Sequence, residues 1–243
     1  MDLREVFIFP LLLIIGIAMI AVDSFIRSYL WNLSGLGLWL APLSTGILCV
    51  ALLYAYFRVV RTSPNVGYSL IIVPVSATSL VLIISVILMN DKASILQELS
   101  IRKFLVAASP AFIEETVFRG VYLDYLAKRL GSLWGVIIVS SLFSFLHLLN
   151  ILVGQTVMVP FLINAFFVGI LLSVIYLRFG LLSAMVLHLL SNAIVPDIII
   201  ESSYLSSIPI MLFAALGSYL LFKKERLGSQ KITSPGDRES RDL

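Results

Sequence analysis

Phe104 to Leu126 reads FLVAASPAFIEETVFRGVYLDYL. The run is long and apolar enough for a helix crossing a hydrocarbon core, which takes about 20 mostly apolar residues. Yet Glu114, Glu115 and Arg119 stand in its middle. Each charge near a bilayer centre costs at least ~2.5–3.5 kcal/mol, so three in one span are kept for a purpose. A stretch of this kind implies a membrane protein with a polar interior.

Helical spacing sorts the three charges. Glu115 and Arg119 are four residues apart, hence on one face and able to pair within the helix. Glu114 is turned about 100° from Glu115 and lacks that partner, which makes it the candidate general base. Pro110, one turn earlier, removes a backbone donor and predicts a kink that widens the surrounding space.

The rest of the chain supports a membrane setting. Of 243 residues, 60% are hydrophobic and 13% charged, whereas a soluble domain carries about 25% charged residues. Apolar runs predict eight helical spans: 6–22, 38–57, 66–89, 104–126, 133–153, 157–177, 181–196 and 207–222. Helix is required because an open sheet leaves backbone groups unpaired in lipid. The first run follows an acidic and basic start and lacks a small-residue cleavage site, so it reads as an uncleaved span.

The fold class is therefore all-α and polytopic. Residues 1–224 form one transmembrane domain, and 225–243 form a polar tail with no apolar face, expected to be disordered. With the N-terminus inside, twelve Lys and Arg residues fall on the inner side and four on the outer side. That bias predicts a multi-pass protein of the cell membrane with both termini in the cytoplasm. The basic residues form no continuous patch, which argues against nucleic acid as a partner. Cys49 is the single cysteine and reads as a small core residue.

Two histidines complete the polar set. His147 follows Phe143 by one turn in FSFLH, and His188 precedes Asn192 by one turn in HLLSN. Counted from the inner ends of their spans, Glu114, His147, His188 and Asn192 lie roughly 10–20 Å deep at ~1.5 Å per residue, so they can meet in one layer. Asn164, Ser140, Ser141 and Ser144 read instead as helix–helix hydrogen-bonding residues.

These residues resemble a known pattern. EETVFR (Glu114 to Arg119), FSFLH (Phe143 to His147) and HLLSN (His188 to Asn192) resemble, in order and on separate spans, the motifs of the CAAX protease and bacteriocin-processing family of intramembrane endopeptidases. The resemblance implies eight transmembrane helices around a catalytic cavity open to the cytoplasm, and hydrolysis of a peptide bond near the C-terminus of a prenylated CAAX-type substrate. It implies that Glu114 and His147 activate the attacking water, and that His188 and Asn192 hold the oxyanion. Glu115, Arg119 and Phe143 are expected to support them, Arg119 attracting the substrate's terminal carboxylate if Glu115 leaves it free.

Partners are then membrane lipid and a prenylated or otherwise membrane-associated protein or peptide. No cofactor is expected, although Glu114, His147 and His188 also form a conceivable zinc set. The motifs specify chemistry and not substrate, so leader or bacteriocin-type peptides are an alternative. From another class, a transporter or non-catalytic membrane scaffold would use the same polar core for binding. A transporter would more often show paired repeats with broken helices, and the sequence shows none.

Overall fold

A computed structural model describes residues 3–31, 34–60, 64–65, 101–148 and 159–194, together with positions 215 and 219. Among them there is no strand. Helix α1 spans Leu3–Trp31 and α2 spans Ser34–Val60. Helix α3, Ile101–Glu115, runs without interruption into a π-helical segment, Thr116–Leu123, and then into α4, Asp124–Leu130. Helices α5 (Ser132–Leu146), α6 (Val159–Phe179) and α7 (Leu181–Ile194) follow.

Eight spans are expected from the sequence, and the described residues hold six continuous helical rods. The expected spans 66–89 and 207–222 lie outside the described residues, apart from helical positions 215 and 219, as does the tail 225–243. Among the described residues three helices are long and apolar enough to cross a membrane, over Phe7–Ile26, Leu40–Val60 and Val159–Phe179. Ser132–Leu146 and Leu181–Ala193 are apolar but shorter. Phe7, Ile14, Phe25, Ile47, Val50 and Tyr54 are exposed along α1 and α2, as lipid-facing side chains of a membrane protein must be.

The rod from α3 through α4 is the axis of the molecule. Every other described helix touches its π-helical segment, whose eight residues are all buried. Pro110 does not end the helix: α3 continues through it. The departure from α geometry comes at Thr116 instead, and the backbone N–H of Asp124 donates to Arg119 O, five residues back. Such segments turn the following residues to a new face and occur often at functional sites.

Close approaches seat the axis against its neighbours. A Cβ on Gly16 of α1 would lie 2.1 Å from the Tyr122 hydroxyl, and that hydroxyl donates to Leu13 O at 2.8 Å. Only a bare backbone fits there. On the other side, Asp124 accepts hydrogen bonds from Tyr56 of α2 at 2.7 Å and Tyr176 of α6 at 2.9 Å. In the α1–α2 seam, buried Thr45 donates to Asp23. Polar ties of this kind orient helices where lipid supplies no hydrophobic drive between them.

The turns are as short as a chain allows. Gly131 alone joins α4 to α5, and Gly180 alone joins α6 to α7. Their φ values are 87° and 90°, a region that only glycine enters without strain.

Candidate active site

Glu114 and Glu115 close α3, and the π-helical segment that follows carries Arg119. The expected pair forms: Arg119 Nη1 donates to Glu115 Oε1 at 2.8 Å, with both side chains fully buried. The second arm of the guanidinium, Nη2, donates to Gly169 O on α6 at 3.0 Å. Its face lies 4.6 Å from the centroid of the Phe143 ring and 5.9 Å from that of Phe118. Enclosed in this way, Arg119 cannot meet a substrate carboxylate, and its role is internal.

His188 stands on α7 and reaches the same carboxylate. Its Nδ1 is 2.8 Å from Glu115 Oε1. The other ring nitrogen, Nε2, lies 3.9 Å from Glu114 Oε2, too far for a direct hydrogen bond. The side chain of Glu114 is 23% exposed, in contrast to 0% for Glu115. Adjacent carboxylates thus take different surroundings: one is sealed in an ion pair, the other open.

His147 sits where α5 ends. The helix tightens there, and the backbone N–H of His147 turns to Ser144 O. The carbonyl one turn back, Phe143 O, then receives the ring: His147 Nδ1 donates to it at 2.7 Å. Sequence reading placed this histidine in the middle of a long span, and the structure puts it at a helix end, where ring and backbone share two carbonyls.

Phe143 is the apolar centre of the group. Its ring meets His147 edge to face at 4.7 Å and His188 at 5.9 Å between centroids, besides Arg119. One aromatic side chain of α5 therefore touches the rings of both histidines and the buried cation. Phe161 of α6 closes over His147 at 5.4 Å.

The structure brings Glu114, Glu115, Arg119, Phe143, His147 and His188 into one cluster drawn from α3, the π-helical segment, α5 and α7. Asn192, one turn beyond His188, is exposed. Of the polar residues read as helix–helix bonders, Ser144 crosses to α6 by donating to Leu162 O, whereas Ser141 turns back to Ile137 O in its own helix. Among the described residues, Ser140 Oγ and Asn164 Oδ1 are buried without a hydrogen-bond partner.

Sequence reasoning did not find the Glu115–His188 contact or the role of Gly169. Small residues at close helix contacts are the available signal for the latter, since a Cβ on Gly169 would lie 3.1 Å from Ser140. Zinc would need three converging donors. Among the described residues no three His, Cys, Asp or Glu side chains converge in that way. The conceivable set of Glu114, His147 and His188 does not converge as placed.

Residues 96–194 match the family model described as type II CAAX prenyl endopeptidase Rce1-like. Over that segment the chain is similar to the CAAX protease family. No curated protein and no solved structure matches it. The match to the CAAX protease family takes in every residue of the cluster and Asn192, and leaves out α1 and α2. Those two helices serve the family core by packing: α1 against the π-helical segment through Gly16, α2 against α3 and against Asp124.

Proposed function

We propose that this protein is an intramembrane endopeptidase that hydrolyses a peptide bond near the C-terminus of a membrane-anchored, prenylated CAAX-type substrate. Glu114, assisted by His147, removes a proton from the attacking water. His188 and Asn192 hold the charge that develops on the carbonyl oxygen, the contribution that is usually largest in acyl chemistry. No metal is required in this reading. The family match supports the reaction class.

One observation carries the site assignment. Glu114 Oε2 and His188 Nε2 face each other across 3.9 Å, with Glu114 partly open and the ring backed by a buried carboxylate. A base and a charge-stabilising ring set this close can serve one tetrahedral centre lying beside them, Glu114 through the attacking water and His188 at the carbonyl oxygen. A transporter or scaffold needs no such opposition.

The test is cleavage of a farnesylated CAAX peptide by the purified protein in detergent. Wild type should cleave it, and Glu114→Gln should lose about 10²–10⁴-fold in rate, the usual worth of a general base, while keeping its melting temperature. Full activity in Glu114→Gln removes the base assignment. Activity on a leader peptide alone, with none on the prenylated one, changes the substrate class. Chelation should leave the rate unchanged; loss with recovery on adding zinc would reinstate a metal.

A further inference from the structure

The sealed half of the cluster has a function of its own. Glu115 Oε1 lies 2.8 Å from both Arg119 Nη1 and His188 Nδ1. A carboxylate accepts hydrogen bonds and donates none. The proton in the His188 contact therefore sits on Nδ1, and Nε2 of the neutral ring is bare on the side of Glu114. Arg119 fixes the carboxylate in turn, through its second arm on Gly169 O.

We propose that Glu115 is a positioning residue for His188, and that Arg119 positions Glu115. The chain Gly169 O, Arg119, Glu115, His188 joins α6, the π-helical segment, α3 and α7 in one line of charge-assisted hydrogen bonds. It sets the ring's orientation and its tautomer. Neutral His188 then offers a lone pair at Nε2 and donates there only as an imidazolium, whose charge Glu115 balances. A carboxylate bonded to a catalytic imidazole acts in this way in the serine-protease triad, where losing it gives the wrong tautomer and costs about 10⁴ in kcat.

His147 is held in the same sense by a different acceptor. Its Nδ1 donates to a backbone carbonyl, which also accepts only. Both rings thus share the Nδ1–H tautomer and leave Nε2 free. Because the chain has two histidines in total, the state of each ring is measurable without interference.

The kinetic part of this inference rests on the peptidase reading, and its test separates the two. Histidine labelled with 15N in detergent-solubilised protein, with both rings neutral, should show two Nδ1–H rings, assigned with His147→Gln. Glu115→Gln should change the His188 signals and leave those of His147 in place. A wild-type His188 ring in the Nε2–H form overturns the inference, whether or not the protein cleaves anything. On the farnesylated peptide, Glu115→Gln should lower kcat by about 10²–10⁴-fold with KM changed less than threefold, because a fully buried carboxylate touches no substrate. Wild-type kcat in Glu115→Gln, with the wild type active, overturns the inference and leaves the peptidase reading intact. A wild type inactive on every peptide removes that reading, and the ring spectra still decide the tautomer.

Discussion

Arg119 shows how a charge survives inside a membrane protein. Its side chain has no exposed surface, yet it meets a carboxylate, a backbone carbonyl and the face of an aromatic ring. Removing one partner of such a pair strands the other, which costs about 3–5 kcal/mol. Arg119→Ala should accordingly lower the melting temperature in detergent more than any single change at Glu114, whose carboxylate is partly open. Arg119→Lys keeps the charge but has no fork to span Glu115 and Gly169 together, so it should fall between wild type and Arg119→Ala. Equal melting temperatures for wild type and Arg119→Ala would mean that the contacts of Arg119 contribute nothing to holding the π-helical segment to α6. The i,i+4 spacing of Glu115 and Arg119 made their pairing legible in the sequence. The contact from Glu115 to His188 was not, because 73 residues separate the two and only the packing of α3 on α7 joins them.

At the scale of elements, the apolar runs located the six described rods, and most boundaries moved by four residues or fewer. However, α1 runs to Trp31 where its span was expected to end at 22, and α5 ends at Leu146 where 153 was expected. Two features escaped that reading for physical reasons. The π-helical segment TVFRGVYL has no composition that distinguishes it from an α-helix; it arises where the axis must satisfy neighbours on every side. The single-residue turns at Gly131 and Gly180 were hidden because glycine is also common inside transmembrane helices. A comparison of two glycines isolates the backbone contribution. Cβ atoms on Gly46 and Gly131 would both meet nothing within 4 Å, but Gly131 has φ 87° and ψ 158°. Gly131→Ala should cost roughly 1–3 kcal/mol through that conformation alone. Gly46→Ala, inside α2, should be neutral or stabilising by about 0.5–1 kcal/mol. Thermal unfolding of the two variants side by side measures the difference, and an equal shift in both would show that conformation at the turn is not what glycine supplies.

Across the whole molecule, two buried carboxylate centres lie on one axis, and they divide chemistry from cohesion. The first is the Glu114–Glu115 pair with the histidines. The second is Asp124, ten residues further along, or roughly 15 Å at helical rise. Asp124 is 6% exposed, and its Oδ2 accepts from Tyr56 at 2.7 Å and from Lys128 at 2.6 Å, while Oδ1 accepts from Tyr176 at 2.9 Å. The Tyr176 hydroxyl also accepts the backbone N–H of Asn65 at 3.1 Å, so one carboxylate ties α2, α4, α6 and the chain just beyond α2. Its hydrogen bonds run to a charged group, each worth about 1.5–3 kcal/mol. Tyr56→Phe should lose that amount, and Asp124→Ala more, since it removes the acceptor that both tyrosine hydroxyls share. Below the melting transition both variants should cleave peptide at the wild-type rate, because neither side chain touches the histidine cluster. A fall in kcat at unchanged stability would contradict this division and make the second centre part of the reaction.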